Sequence, residues 1–192
     1  MHMRDIVFLI ILLLGWFSPS LNACAQDSVS FHPSFWEQAK NRLSKIWYHG
    51  RGDLYIPNYA WHNRWTYTPD KLPNYNELPW GAGMGKGIWD EHGNWHGLYG
   101  MVFLDSHKNV QPMGGYGYLF TLHPTENTGI GLGFTLMVTA RPDIFNNAPF
   151  PGALPLISFN YKDIMILGAY VPGSQNIGNV LFIMTKLTLG SS

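Results

Sequence analysis

Beyond residue 53 the hydrophobic positions of this chain recur every second residue, in short runs broken by turn signals. The runs 54–67, 80–89, 95–104, 112–122, 129–141, 154–160, 164–171 and 179–189 predict eight strands. The alternation is clearest where Ile130, Leu132, Phe134, Leu136, Val138 and Ala140 share one face. Gly131, Gly133, Thr135, Met137, Thr139 and Arg141 occupy the other. Tyr116, Tyr118, Phe120 and Leu122 likewise oppose Gly115, Gly117, Leu119 and Thr121, and run 80–89 carries Gly81, Gly83, Gly85 and Gly87 on a single face. The connections alternate between short turns and longer loops at 68–79, 105–111, 141–148 and 172–178. Short turns at one end and longer loops at the other is the pattern of an outer-membrane barrel.

Helical periodicity marks a different segment, 31–47, where Phe31, Phe35, Ala39, Leu43, Ile46 and Trp47 recur at three- and four-residue steps. Such a helix either packs on a core or lies in a membrane interface with its tryptophans at headgroup level. No run beyond the N-terminal segment approaches the roughly 20 apolar residues of a spanning helix, whereas strands of about 10 fit a barrel wall. Open sheet edges cannot face lipid, so the strands must close. The expected fold is all-β: an eight-stranded antiparallel transmembrane β-barrel, at about 53–189, behind a periplasmic amphipathic α-helix.

The first residues read as a targeting segment. Arg4 precedes an apolar stretch at 6–17, and Ala23-Cys24-Ala25 fits a small-x-small cleavage site. Cleavage there removes residues 1–25 and leaves a single domain, 26–192, without cysteine. Leu21-Asn22-Ala23-Cys24 also resembles a lipobox, which would leave Cys24 lipidated.

Composition narrows the function. Charged residues are 12%, aromatics 15%, and the formal net charge is zero. Soluble domains carry about a quarter charged residues, and nucleic-acid binding shows as a basic footprint. The glycines at 81–87 lack a nucleotide-loop spacing. His92 and His96 stand across a turn rather than on one helix, so no metal site is expected, and no cofactor. Glycines opposite bulky residues predict a narrow, partly apolar slot inside the barrel; the alternative is that they relieve crowding in a tightly curved wall.

Hairpin parity carries the candidate chemistry. With the helix periplasmic, the first strand ends outside, the second returns, and the third emerges at Asp105. His62 and the loop with Asp105 and Ser106 then share one rim, where an imidazole could polarise a hydroxyl for attack on an ester. His107 is a rival base. Against catalysis stands the plain fact that Asp and Ser are common loop residues. Two other classes remain: a non-enzymatic small barrel serving adhesion or membrane integrity, and a soluble lipid-binding barrel. Glycine faces argue against the first, and bulky outward aromatics against the second.

Several segments are specific beyond their composition. They are Asp53-Leu-Tyr-Ile-Pro57 with Trp61-His62, Tyr75-Asn-Glu-Leu-Pro-Trp-Gly81, and Trp89-Asp-Glu-His-Gly-Asn-Trp-His-Gly-Leu-Tyr99. Asp105-Ser106, Gly115-Tyr-Gly117, Gly131-Leu-Gly-Phe-Thr135, Val138-Thr-Ala-Arg141, Leu154-Pro-Leu156 and Tyr170-Val-Pro-Gly173 follow. In this order, across the mature chain, they closely resemble the outer-membrane lipid A palmitoyltransferase family, PagP. The resemblance implies an enzyme that moves a palmitoyl chain from a glycerophospholipid to lipid A in the outer leaflet of the outer membrane. It places the family's catalytic His, Asp and Ser on His62, Asp105 and Ser106, and its acyl-pocket floor on Gly117. Prolines flanking lateral openings fall on Pro57 and Pro79 on one side and on Pro155 and Pro172 on the other. A proline cannot donate to a strand ladder, which suits it to such an opening. A monomer or homodimer is expected. The chain departs from the family at its C-terminus, which lacks the usual terminal aromatic, and at His107, which replaces a bulky aromatic.

Overall fold

The computed structural model describes residues 34–190; the expected signal segment and the start of the helix, 31–33, lie outside them. Helix α1 is Phe35–His49. Ser34 and Glu37 close its first turn reciprocally, the Glu37 N–H donating to Ser34 Oγ and the Ser34 N–H to Glu37 Oε2. Only Ile46 of the helix is buried, while Trp36 is 71% and Trp47 62% exposed. Packing on a core therefore accounts for Ile46 but not for the rest of the apolar face.

Eight antiparallel strands follow and close into a barrel, each pairing with its chain neighbours and the last with the first. They are β1 (Arg51–His62), β2 (Gly81–Trp89), β3 (Trp95–Leu104), β4 (Val110–Thr125), β5 (Thr128–Thr139), β6 (Phe150–Tyr161), β7 (Ile164–Val171) and β8 (Val180–Thr188). The expected fold class is the observed one. Strand β1 ends five residues before its predicted limit because the Asn63 carbonyl accepts the N–H groups of Thr66 and Tyr67, turning the chain. Strand β6 begins at Phe150, since the β5 ladder continues past Pro155 and Pro151 on that side.

Outward faces are apolar: Leu122, Ile130, Leu132, Phe134, Val138, Ile157 and Phe159 are all exposed. Inward faces divide the lumen in two. Toward the long loops it is dominated by Tyr55, Met101, Phe103, Leu156, Leu167, Ala169, Phe182 and Met184. Toward the helix and short turns polar groups enter it, with Asp53, Lys186, Thr121, Ser158 and Asn160 buried beside Leu119 and Met165. There Lys186 Nζ donates to Asp53 Oδ1 at 2.8 Å, across the β1–β8 closure, and Thr188 Oγ1 joins the same oxygen. Trp95 lies at the boundary, its ring 5.6 Å from Lys186 Nζ.

The inward glycines are not opposite empty space throughout. A Cβ on Gly83 would meet Met101, one on Gly85 Tyr55, one on Gly97 the Trp95 ring, and one on Gly117 would stand 2.9 Å from Trp95 Cζ3. The glycines clear room for bulky neighbours, which is the crowding relief expected as the alternative to an open slot.

Pairing between two strand pairs stops short of the outer rim. The β1–β2 ladder ends at Tyr55–Gly83 although β1 continues to His62. Pro57 lies just beyond that end, and Pro79 in the segment leading into β2. The β6–β7 ladder ends at Leu156–Ala169, with Pro155 next along β6 and Pro172 directly after β7. Strand β1 also carries a bulge: its β8 partners run from Pro57–Met184 to Tyr59–Ile183, which leaves Asn58 surplus. Asp53, Tyr55 and Pro57 are buried, and strict alternation from them would turn His62 outward. The surplus residue restores the phase, so that Ala60 and His62 are the buried ones.

Candidate active site

His62 is the last residue of β1 and is 1% exposed. Its ring stacks on Tyr75 at 5.0 Å and meets Tyr67 edge-on at 5.1 Å. Tyr67 is fixed by donating to the Gly178 carbonyl at 2.7 Å. Burial, with Tyr75 beside it, pushes the Tyr67 phenol up to about 12, so it stays neutral. Two aromatic walls thus hold the imidazole and keep water from its faces.

Its two edges meet two loops. Nε2 is 3.0 Å from Ser106 Oγ, in the turn between β3 and β4. Nδ1 is 3.3 Å from Glu77 Oε1, in the segment between β1 and β2. Glu77 also takes both Nη atoms of Arg64, at 2.5 and 2.7 Å, and the Tyr59 hydroxyl at 2.5 Å. The Arg64 hydrogen bonds, with those from Tyr59 and the His62 N–H, hold its carboxyl down at about 2 against an ordinary 4.5. An ionised carboxylate only accepts, so Nδ1 carries the proton and Nε2 presents a lone pair to the Ser106 hydroxyl.

Parity thus placed His62 and Ser106 on one rim, and the structure brings them into hydrogen-bond contact. Asp105 is beside them in sequence but its carboxylate turns elsewhere. Asp105 Oδ1 accepts the N–H groups of His107 and Asn109, each at 2.8 Å, and Oδ2 stands 3.8 Å from Arg141 Nη2. It shapes the turn that carries Ser106. The Asn76 N–H donates to the Ser106 carbonyl at 2.8 Å, bracing that turn against the Glu77 segment. His107 packs edge-on against Tyr75 at 5.5 Å, with Tyr75 between it and the His62 ring.

Sequence reasoning passed over Glu77. It lies in segment 75–81, on the loop that parity assigns to the rim with His62, and an acidic residue two positions before Pro79 was the available signal. Gly117 is buried against Trp95, at the boundary of the two lumen halves rather than at the rim. His96, considered with His92 as a metal ligand, is engaged by Asp90, Arg42 and Tyr116.

A closed eight-stranded barrel with an apolar exterior carries, over the apolar half of its lumen, a hydroxyl–imidazole–carboxylate chain, the groups that a barrel enzyme of the acyl-transfer class would use. The family model described as antimicrobial peptide resistance and lipid A acylation protein PagP matches residues 42–186. A lipid A acyltransferase PagP of Legionella longbeachae serogroup 1 (strain NSW150) is 51% identical over 79% of this chain and 66% of its own length. One from Legionella pneumophila is 48% identical over 77% of this chain and 79% of its own. One from Bordetella pertussis (strain CS) is 46% identical over 80% and 85%. The chain belongs to the PagP family of lipid A acyltransferases, which are outer-membrane proteins, and the reading as a non-enzymatic barrel is set aside.

Proposed function

We propose that the enzyme takes a palmitoyl or similar chain from a glycerophospholipid in the outer leaflet and esterifies a hydroxyl of lipid A. The observation that carries this is the 3.0 Å contact between His62 Nε2 and Ser106 Oγ at the mouth of the apolar lumen. His62 acts as base toward a hydroxyl, with Ser106 as relay or nucleophile, and Asp105 sets the Ser106 turn. The donor enters sideways where the β1–β2 and β6–β7 ladders stop, beside Pro57, Pro79, Pro155 and Pro172. Its tail lies among Met101, Phe103, Leu156 and Phe182, and Gly117 with Trp95 sets the depth. The apolar belt on β5 and β6 seats the barrel in the membrane, and the exposed aromatics of α1 anchor at the periplasmic interface after export by the segment 1–25.

The test mixes purified, folded protein in detergent with labelled phosphatidylcholine and lipid A. Lipid A heavier by one labelled acyl chain is the expected product. A folded barrel that releases only free fatty acid, or nothing, overturns the donor–acceptor assignment. Activity surviving in both His62→Ala and Ser106→Ala overturns the site.

A further inference from the structure

Resting on the His62–Ser106 reading above, we propose that Glu77, rather than Asp105, is the carboxylate that orients His62 for acyl transfer. It is a positioning residue, acting through the imidazole.

Geometry separates the two carboxylates. Glu77 Oε1 reaches Nδ1 at 3.3 Å and also accepts the His62 backbone N–H at 3.3 Å, so one oxygen holds both ends of the residue. Asp105 spends Oδ1 on its own turn, while its buried Oδ2 makes no hydrogen bond among the described residues and stands 3.8 Å from Arg141 Nη2, away from the imidazole nitrogens that Glu77 and Ser106 occupy. Glu77 is itself held firmly. Its carbonyl accepts the Ala60 N–H at 3.0 Å, which stitches the segment onto β1 above the unpaired stretch, and Arg64 grips both carboxylate oxygens. Arg64 also donates to the His62 carbonyl at 3.1 Å. A carboxylate so tied cannot follow the proton.

The chemistry assigns it a role. In the transfer, the donor ester C–O bond breaks and a new ester forms to the lipid A hydroxyl. The proton lost by the attacking hydroxyl passes to Nε2 and is returned to the departing lysophospholipid oxygen. Throughout, the Nδ1 proton stays on the ring. Nε2 can accept only in the Nδ1–H tautomer, and Glu77 selects that tautomer and offsets the positive charge while the ring is protonated. The groups facing the ring are Glu77, Ser106, Tyr67 and Tyr75, with Arg64 behind Glu77.

The experiment compares Glu77→Gln, Glu77→Asp, Asp105→Asn, His62→Ala and Ser106→Ala in the phosphatidylcholine–lipid A assay, with pH profiles. It adds ¹⁵N-histidine spectra of the unsubstituted protein. Glu77→Gln should lose roughly 10²–10⁴-fold in kcat, with KM for the donor within about threefold. The acid limb of its profile should move to lower pH, because removing a negative neighbour lowers the imidazole pKa. Glu77→Asp should recover part of the rate. The spectra should show His62 in the Nδ1–H form, a readout that needs no variant to fold. An Nε2–H spectrum overturns the proposal. So does a Glu77→Gln enzyme with near-normal kcat and an unmoved acid limb, while His62→Ala and Ser106→Ala are inactive. If those two stay active, the underlying site reading fails instead.

Discussion

The two ends of this barrel's lumen are built on opposite plans. At the loop end, His62, Ser106 and Glu77 come from separate segments and meet through single hydrogen bonds between aromatic walls. At the helix end, Asp53 and Lys186 sit on paired strands and are locked where the barrel closes. The first arrangement gathers an imidazole, a hydroxyl and a carboxylate at the rim, where the proposed function brings the substrate. The second places a charged pair where none is needed for chemistry and where the first strand must find the last. Activity and stability should therefore come apart when each end is altered.

The largest effect is expected at the loop end. Ser106→Ala should cut transfer about 10³-fold or more, while the barrel loses only about 1–3 kcal/mol in denaturant unfolding, the cost of leaving the buried His62 Nε2 unpaired. A large loss of stability in that variant would merge the two ends into one structural unit. Lys186→Met reverses the pattern. It strands the buried Asp53 carboxylate, 1% exposed, and should cost about 3–5 kcal/mol in denaturant unfolding while the folded fraction keeps its kcat. Replacing both, Asp53→Asn with Lys186→Met, should restore much of that loss.

Gly117 tests the boundary between the halves. A methyl group there would stand 2.9 Å from Trp95 and 3.8 Å from Leu156, so Gly117→Ala must displace the ring or shorten the space above it. Donor preference should move to shorter chains, with about 1–3 kcal/mol of overpacking; a chain-length profile like that of the parent would put the boundary elsewhere. The smallest effect is on acidification. Glu77 has a depressed pKa, so its ionisation stabilises the fold above its unfolded value of 4.5, and this is lost as pH falls toward about 2. Because Arg64 is 42% exposed, the loss should be no more than about 1 kcal/mol. It should show first as loosening of His62, seen as faster exchange of its ring protons, rather than as unfolding.

Much of this was readable in advance, for identifiable reasons. A closed barrel obliges each strand to alternate, so the eight strands and the side of each loop follow from counting. The rim shared by His62 and Ser106 needed only hairpin parity. Glu77 escaped because its contacts depend on a loop folding back over β1 where the β1–β2 ladder has ended, which no periodicity records. The glycine faces were read chiefly as vacancy because side chains such as Trp95 and Met101 lean in from adjacent strands, a matter of rotamer rather than pattern. The turn at Asn63 likewise overrode an apolar run that continues to Tyr67.

The surplus Asn58 has a consequence for how this enzyme can vary. Whether His62 faces the lumen is an odd–even property of β1. Inserting one uncharged residue between Tyr59 and His62 would leave the net charge unchanged, yet turn the imidazole from the lumen to the outer face of the barrel. The bulge already absorbs one such slip, and Thr185 pins it by donating to the Asn58 side chain at 2.8 Å. Length changes in the 63–80 loop would therefore leave the His62 contacts in place only where they spare Glu77, while on the strand a single codon separates a ring that meets Ser106 from one that cannot reach it.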